Sequence, residues 1–97
     1  MIAKNLSRAV RCHMKDNVVT ALIPMEKGII IELPSGERFE VIEKIPFAHK
    51  VALRKISRGS GVIKYGERIG RATQDIRPGE WVHIHNVVGE RGKRRKK

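Results

Sequence analysis

The chain has 97 residues, 40% of them hydrophobic but only 4% aromatic, which predicts one domain with an aliphatic core. Ligand pockets commonly enclose ~300–1,000 Å³, so a complete enzyme is disfavoured against a binding module or one subunit of a larger assembly. Lys and Arg number 21 against 10 acidic residues, a net charge of +11. This excess indicates an anionic partner.

The positive charge is concentrated at the C-terminus. Residues 90–97 hold six basic residues and one acidic residue, which leaves +6 on residues 1–89. We expect residues 1–89 to form the domain and residues 90–97 to form a disordered basic tail. Aromatic residues are not interleaved with the basic ones, as they are on single-strand nucleic-acid platforms. A basic nucleic-acid-binding protein is therefore the weakest of the functions considered.

The single cysteine and the hydropathy pattern indicate the cellular location of the protein. Cys12 is alone, which excludes an internal disulfide, and we expect it to be a small buried apolar side chain. No stretch approaches the ~20 apolar residues of a membrane span, and the N-terminus has no signal-peptide core. These features predict a cytoplasmic protein that does not bind membranes.

Short runs of β-branched residues between frequent turns predict a mostly β fold. Asp16 is a good N-cap residue, and it predicts one short helix near residues 16–23, before Pro24. Residues 29–33 and 38–42 flank a turn and predict a hairpin. Further strands are predicted at residues 50–53, 61–64 and 81–88. No internal repeat of fixed period is visible.

Two histidines stand two residues apart near the end of the domain. On the predicted strand 81–88, His83 and His85 would project from the same face. This geometry suits two proton-transfer groups or two metal ligands, because imidazole serves both roles near neutral pH. Exposed strand histidines without a role are the alternative interpretation.

Other polar groups lie at predicted turns. His49 and Lys50 precede a strand, where they suit a carboxylate, with a solvated edge as the alternative. His13 lies just before the proposed helix cap, where an anion could bind or the cap alone could explain the pattern. Lys64 and Tyr65 combine an ammonium and a phenol, and a Tyr that covers the core is the alternative.

Four segments in this order resemble the SAF-type domain of the altronate/galactarate dehydratase family. They are His-x-x-Asp-Asn-Val from His13, His-Lys-x-Ala-Leu from His49, Ile-Lys-Tyr-Gly ending at Gly66 and Val-His-x-His-Asn ending at Asn86. The resemblance implies a single β-clip domain with short strands. It also implies a lyase that removes water from a sugar acid to give a 2-keto-3-deoxy acid.

The resemblance further implies partners, a cofactor and roles for residues. The chain would be a small subunit that works with a large dehydratase subunit on a separate chain, with a homo-oligomer also possible. A divalent metal, iron or manganese, would be held mainly by the large subunit, with His83 or His85 as possible contacts. His83 and His85 would be catalytic, and the substrate carboxylate and hydroxyls would contact a set of seven residues: His13, Asn17, His49, Lys50, Lys64, Tyr65 and Asn86.

Two related functions remain open beside the dehydratase. One is a small subunit of the sulfolactate sulfo-lyase type, and the other is a non-catalytic SAF ligand-binding module. The sequence departs from the family at Ala48, where the family usually has Gly before the His-Lys pair. Because Ala adopts positive φ poorly, the loop that places His49 could differ from the family's.

Overall fold

The β-branched runs form nine short strands within residues 8–90, the part of the chain that the computed structural model describes. The strands are β1 (Ala9–Val10), β2 (Val18–Ala21), β3 (Ile30–Glu32), β4 (Arg38–Glu40), β5 (Lys50–Ala52), β6 (Gly61–Lys64), β7 (Glu67–Ala72), β8 (Trp81–Val82) and β9 (Val87–Gly89). The mostly β prediction is confirmed. The predicted tail lies outside the described residues except for Glu90, whose carboxylate pairs with Arg68. Residues 8–90 contain no helix that could span a membrane.

All strand pairs are antiparallel, and they form three small sheets. The largest has the order β1-β2-β5-β8, the hairpin β3-β4 stands alone, and the third has the order β6-β7-β9. In the hairpin, Ile31 lies opposite Phe39 and both are buried. The predicted hairpin and the predicted strand at 61–64 are therefore confirmed.

The predicted helix near residues 16–23 is wrong. Residues Val18–Ala21 form β2, which pairs with β1 and β5. Three of its four residues are β-branched, and such side chains fit a pleated strand better than a helix. Asp16 does cap backbone N–H groups, but those of a turn and of a distant segment rather than of a helix.

The predicted strand 81–88 is interrupted. β8 ends at Val82, a turn covers residues 83–86, and β9 begins at Val87. The side chain of Asn86 closes this turn, because its Oδ1 accepts the backbone N–H of His83 at 2.9 Å. The two histidines therefore lie on a turn between two sheets, so strand alternation does not determine where they point.

The fold contains a repeat that the sequence did not reveal. Four turns each have a residue with positive φ at their third position: Gly28 (98°), Ala48 (72°), Gly59 (88°) and Gly79 (85°). The first and third of these residues are 31 positions apart, and so are the second and fourth. The isolated bridges Met25–Ile45 and Ile56–Ile76 have the same offset. The expectation of no fixed-period repeat is wrong because backbone geometry, more than side-chain identity, is repeated.

Each half of the repeat has its own core. The first core contains Val41, Val51 and the bridge pair Met25–Ile45, and the second contains Ala72, Val82 and the bridge pair Ile56–Ile76. Burial of one aliphatic side chain stabilises a fold by about 1.5–3 kcal/mol. Two small aliphatic cores therefore hold the domain together, in keeping with its few aromatic residues.

Ala48 has a left-handed backbone conformation, with a φ of 72°. Its N–H donates to the Ala21 carbonyl at 2.8 Å, and the Ala21 N–H donates to the His49 carbonyl at 2.9 Å. The equivalent turn makes the same two hydrogen bonds, from Gly79 to Ala52 and from Ala52 to Glu80. Sheet pairing thus imposes the positive φ on whichever residue stands there, and His49 keeps its place.

Replacing Ala48 with Gly should therefore stabilise the protein. A left-handed conformation costs an L-residue about 1–2 kcal/mol, which exceeds the added backbone entropy that glycine brings to the unfolded chain. We expect a gain of about 0.5–1 kcal/mol in the free energy of unfolding, measured by urea denaturation. The matched change Gly79→Ala should instead destabilise the protein, since an added Cβ would collide with the Glu40 carbonyl oxygen. A loss of stability in Ala48→Gly would contradict the interpretation.

Candidate functional site

Two lysines on strands of different sheets form the centre of the candidate site. Lys50 on β5 lies opposite Thr20 on β2, and the Lys64 ammonium donates to Thr20 Oγ1 at 2.8 Å. Neither lysine makes an ion pair with any residue in the range 8–90. We call this surface, formed by Thr20, Lys50 and Lys64, the lysine face.

The lysine face is electrostatically strained as it stands. Burial lowers the pKa of Lys50, and the positive charge of Lys64 lowers it further. Two like charges held together without a carboxylate between them favour the binding of an anion, which would relieve the repulsion and restore the pKa. The lysine face is therefore suited to a carboxylate or another small oxyanion.

An aromatic cluster adjoins Lys50. The ring of His49 lies 4.7 Å from that of His83, and the Trp81 indole stacks on His83 at 5.4 Å with 8° between the planes. The ring of His85 also lies close to the Trp81 indole, with 5.0 Å between the ring centroids. Trp81 therefore contacts three histidines, including His49 at 5.7 Å.

An open groove of about 240 Å³ brings the two features together. Lys50 and His83 both line it, and its apolar wall is formed by Ile69, Val82, Ile84 and Val87. A small hydroxy acid placed in this groove could present its carboxylate to Lys50 and a C–H bond to His83. The groove is open on one side, so it does not enclose a ligand by itself.

The environment of His83 favours its neutral form. Burial lowers the pKa of His83, and the nearby His49, Lys50 and His85 lower it further. A neutral imidazole at neutral pH is the form that can accept a proton. No residue in the range 8–90 hydrogen-bonds its ring nitrogens, so they are available to a ligand.

The lowered pKa of His83 predicts how stability depends on pH. Because the folded state binds a proton at His83 less tightly than the unfolded state, acid favours unfolding. We expect stability to rise with pH through the window between the lowered pKa and 6.5, and to level off above it. Urea denaturation at a series of pH values should show this rise, and His83→Gln should flatten it. An unchanged slope in His83→Gln would contradict the interpretation.

The loop that carries His13 is fixed by a buried carboxylate. Asp16 is fully buried and accepts the backbone N–H groups of His13, Tyr65 and Gly66 at 3.0, 3.1 and 2.8 Å. The His13 ring lies against Gly66, where an added Cβ would come within 2.9 Å of it. The sequence-predicted His13 and Tyr65 are thus brought together at one end of the lysine face.

Two residues that were predicted to contact the substrate use their side chains for hydrogen bonds within the fold. The Asn17 amide donates to the Gly61 carbonyl at 3.0 Å and accepts the Ile63 N–H at 2.8 Å. Asn86 is fully buried, and its amide donates to the Trp81 carbonyl at 2.8 Å while its Oδ1 holds the His83 turn. We therefore assign both asparagines to positioning the site, because their polar atoms are already used.

The neighbours of Lys64 are exposed. Tyr65 is 61% exposed, and its ring lies 4.4 Å below the Lys64 ammonium. Cys12 is also exposed, with its Sγ 3.6 Å from the same ammonium. The prediction that Cys12 is buried is wrong, because the segment between β1 and β2 runs over the surface beside β6.

Two site residues were missed by sequence reasoning. Thr20 was assigned to a helix, so its pairing with Lys50 could not be foreseen. Trp81 was not singled out within the predicted strand 81–88, although its indole N–H donates to His49 Nδ1 at 3.1 Å. A buried indole usually needs a hydrogen-bond acceptor, which is the signal that could have pointed to it.

The described residues do not make up a metal site. Residues 8–90 contain no group of three or more His, Cys, Asp or Glu side chains that could hold a metal ion. His49 Nδ1 is already occupied by the indole N–H, which removes one of the available nitrogen ligands. The donor set of this part of the chain therefore does not fit a metal with three or four protein ligands.

Comparison with known proteins agrees with these motifs. Altronate dehydratase of Bacillus subtilis is 40% identical over 78 residues, which are 80% of this chain but 16% of that protein. Galactarate dehydratase (L-threo-forming) of Escherichia coli is 41% identical over 83 residues, 15% of its length. (2R)-sulfolactate sulfo-lyase subunit alpha of Chromohalobacter salexigens is 43% identical over 67 residues, which are 69% of this chain and 71% of that subunit.

The chain thus matches a small part of each dehydratase and most of the sulfo-lyase subunit. The family described as "Altronate/galactarate dehydratase SAF domain" matches residues 7–90, which include every strand described above. The chain therefore belongs to the altronate/galactarate dehydratase SAF domain family.

Proposed function

We propose that this protein is the small subunit of a sugar-acid dehydratase, a hydro-lyase that acts on a hydroxy-acid carboxylate together with a large subunit on a separate chain. The observation that carries the proposal is the groove shared by Lys50 and His83. It sets a cation that lacks an ion-pair partner among residues 8–90 beside an imidazole kept neutral. A carboxylate and a weakly acidic C–H bond next to it are the features that such a pair would recognise.

The proposed reaction consists of three events, each assisted by residues of this chain or of its partner. A base removes the proton from the carbon next to the carboxylate, the C–O bond on the neighbouring carbon breaks, and the leaving hydroxyl takes up a proton. Water departs, and the enol product becomes a 2-keto-3-deoxy acid. His83 is suited to the base and His85 to the acid.

The two lysines would act on charge rather than on protons. Lys50 and Lys64 would hold the substrate carboxylate and stabilise the negative charge that grows on it as the proton leaves. Donors aimed at developing charge contribute about 2.7–4 kcal/mol each in well-studied enzymes. Tyr65 and His13, at the far end of the lysine face, would contact substrate hydroxyls.

A large partner chain would complete the groove. Within residues 8–90, the four most exposed large hydrophobic side chains are those of Tyr65 (61%), itself a site residue, and of three residues within two positions of one: Met14 (79%), Phe47 (61%) and Ile84 (83%). Apolar side chains around an open polar groove are typical of an interface that a partner covers. The iron or manganese implied by the resemblance would then be held by the large subunit, and no step above depends on it.

The proposal is tested by isolating the complex. The tagged chain should capture a large dehydratase-type chain from an extract of its source, and the complex should dehydrate altronate or galactarate. Absence of turnover in a complex that does form would favour a non-catalytic ligand-binding module. Salt-sensitive nucleic-acid binding that is lost on deletion of residues 90–97 would favour the third function.

Ile84→Asp should prevent capture of the large chain. A carboxylate in the centre of an apolar interface typically costs more than 2 kcal/mol of binding, so we expect at least a thirtyfold weaker complex. Ile30→Asp is the matched control, since Ile30 is 45% exposed on the hairpin. Bio-layer interferometry would measure the affinity of each variant for the large chain. Equal weakening by both substitutions would contradict the placement of the interface.

A second candidate is a sulfolactate sulfo-lyase subunit. It is supported by the relative from Chromohalobacter salexigens, whose sulfo-lyase subunit alpha is 43% identical over 67 residues. Sulfolactate also carries a carboxylate and a second anionic group, which the two lysines could share. Assay of the same complex with sulfolactate and detection of released sulfite distinguish this function from the dehydratase.

A further inference from the structure

We infer that His49 acts as a neutral hydrogen-bond donor to the substrate through Nε2–H, and that Trp81 is the positioning residue that holds it in this form. The inference rests on the function proposed above. It separates the roles of the histidines, because His49 then stabilises negative charge while His83 remains the base.

The assignment follows from what each group can donate. The Trp81 indole nitrogen carries one hydrogen and cannot accept a hydrogen bond. It lies 3.1 Å from His49 Nδ1, so Nδ1 must present a lone pair. The neutral imidazole then carries its hydrogen on Nε2, at the opposite side of the ring.

The backbone fixes both partners of this hydrogen bond. His49 is the last residue of a turn, with its N–H bonded to the Pro46 carbonyl at 3.1 Å and its carbonyl bonded to Ala21. The backbone N–H of Trp81 donates to the Glu43 carboxylate at 2.9 Å, and the Trp81 carbonyl accepts from the Asn86 amide at 2.8 Å. Neither ring depends on a long flexible segment for its position.

Three basic groups surround the His49 ring. Lys50 follows His49 in the chain, Lys64 lies beyond it on the lysine face, and the His83 ring is 4.7 Å away. Protonation of Nδ1 would break the indole hydrogen bond and add a positive charge to this group. Nε2–H is therefore a neutral donor among cations, and it suits an oxygen on which negative charge develops.

The hydrogen bond can be tested on the chain alone. Nitrogen-15 spectra at mildly alkaline pH should show one tautomer of His49 and a scalar coupling across the hydrogen bond, from Trp81 Nε1 to His49 Nδ1. Trp81→Phe should abolish the coupling and return His49 to a mixture of tautomers. A hydrogen on His49 Nδ1 in the unaltered protein, or no coupling, would overturn the inference.

The contribution of the Trp81–His49 hydrogen bond to kcat is tested in the assembled enzyme by a double-mutant cycle. Trp81→Phe should lower kcat about tenfold with little change in KM, as is common for residues that orient a catalytic group. His49→Gln removes the imidazole that Trp81 orients, so it should itself lower kcat to a similar extent. In the His49→Gln background, Trp81→Phe should then have almost no further effect on kcat.

A merely structural role of Trp81 would behave differently. The tenfold loss would persist in the His49→Gln background, and this result would overturn the assigned role even if the coupling is present. A complex that turns over none of the hydroxy acids would contradict the proposed function instead. The coupling would still be measurable in that case, so the two failures are distinguishable.

Discussion

Lys50→Met should make the protein more stable and remove most of its activity. In the folded state Lys50 is half-buried and repelled by Lys64, and both effects lower its pKa below 10.5. Because the side chain is partly exposed to solvent, we expect a gain of only about 0.5–1 kcal/mol at neutral pH. This gain should shrink as pH rises towards 10.5, since the folded wild-type protein then releases the proton.

The same substitution removes the cation that would hold the substrate carboxylate. We expect kcat/KM of the assembled enzyme to fall about 100–1,000-fold, the range seen when one donor to a developing oxyanion is removed. Urea denaturation measures the first effect, and a turnover assay measures the second. A gain in stability together with a loss of activity is typical of substitutions that remove a strained functional group.

Lys27→Met is the matched control for this prediction. Lys27 is exposed in the turn that contains Gly28 and lies outside the lysine face. It should leave the activity unchanged and alter the stability by less than about 0.5 kcal/mol. A Lys50→Met protein that is less stable than wild type, or one that keeps full activity, would contradict the assignment of the lysine face.

Asp16→Ala should destabilise the protein more than any other single substitution considered. The buried carboxylate accepts three backbone N–H groups from two separate segments. Removing it leaves these donors without partners at a cost of about 1–3 kcal/mol each, partly relieved by entering water. We expect a loss of about 3–5 kcal/mol, a large share of the 5–15 kcal/mol by which small domains are stable.

The other aspartate of the sequence, Asp75, gives the control. Asp75 also caps a turn, but it is exposed and one oxygen accepts the Arg58 N–H at 2.8 Å. Asp75→Ala should therefore cost less than about 1.5 kcal/mol. Urea denaturation of both variants measures the difference. Similar losses in the two would show that the burial of Asp16 and its additional hydrogen bonds contribute little.

Local patterns predicted the elements whose structure is decided locally. The hairpin around residues 34–37 and the strand at 61–64 follow from β-branched runs next to turn residues. Asp16 was misassigned because an aspartate that caps a helix and one that caps a turn have the same sequence neighbourhood. Only the distant N–H groups of Tyr65 and Gly66 distinguish the two.

The candidate site was predicted by its residues but not by its geometry. The pairing of His83 with His85 on one strand face rested on spacing, whereas the fold places His49 beside His83. Likewise, Lys50 and Lys64 come together at Thr20. Thr20 lies opposite Lys50 in the β2–β5 pair and accepts a hydrogen bond from the Lys64 ammonium. Contacts between residues so far apart in the chain depend on sheet order, which neither composition nor periodicity contains.

The 31-residue repeat has a consequence for the strand that carries Lys50. β5 is the counterpart of β2 in one half and of β8 in the other, and it pairs with both. Neither half can then complete its sheet without this strand, so the two cores are expected to unfold as a single cooperative unit. The cation at the centre of the lysine face therefore stands on a strand that both halves share, and this strand holds it in a fixed position for an incoming anion.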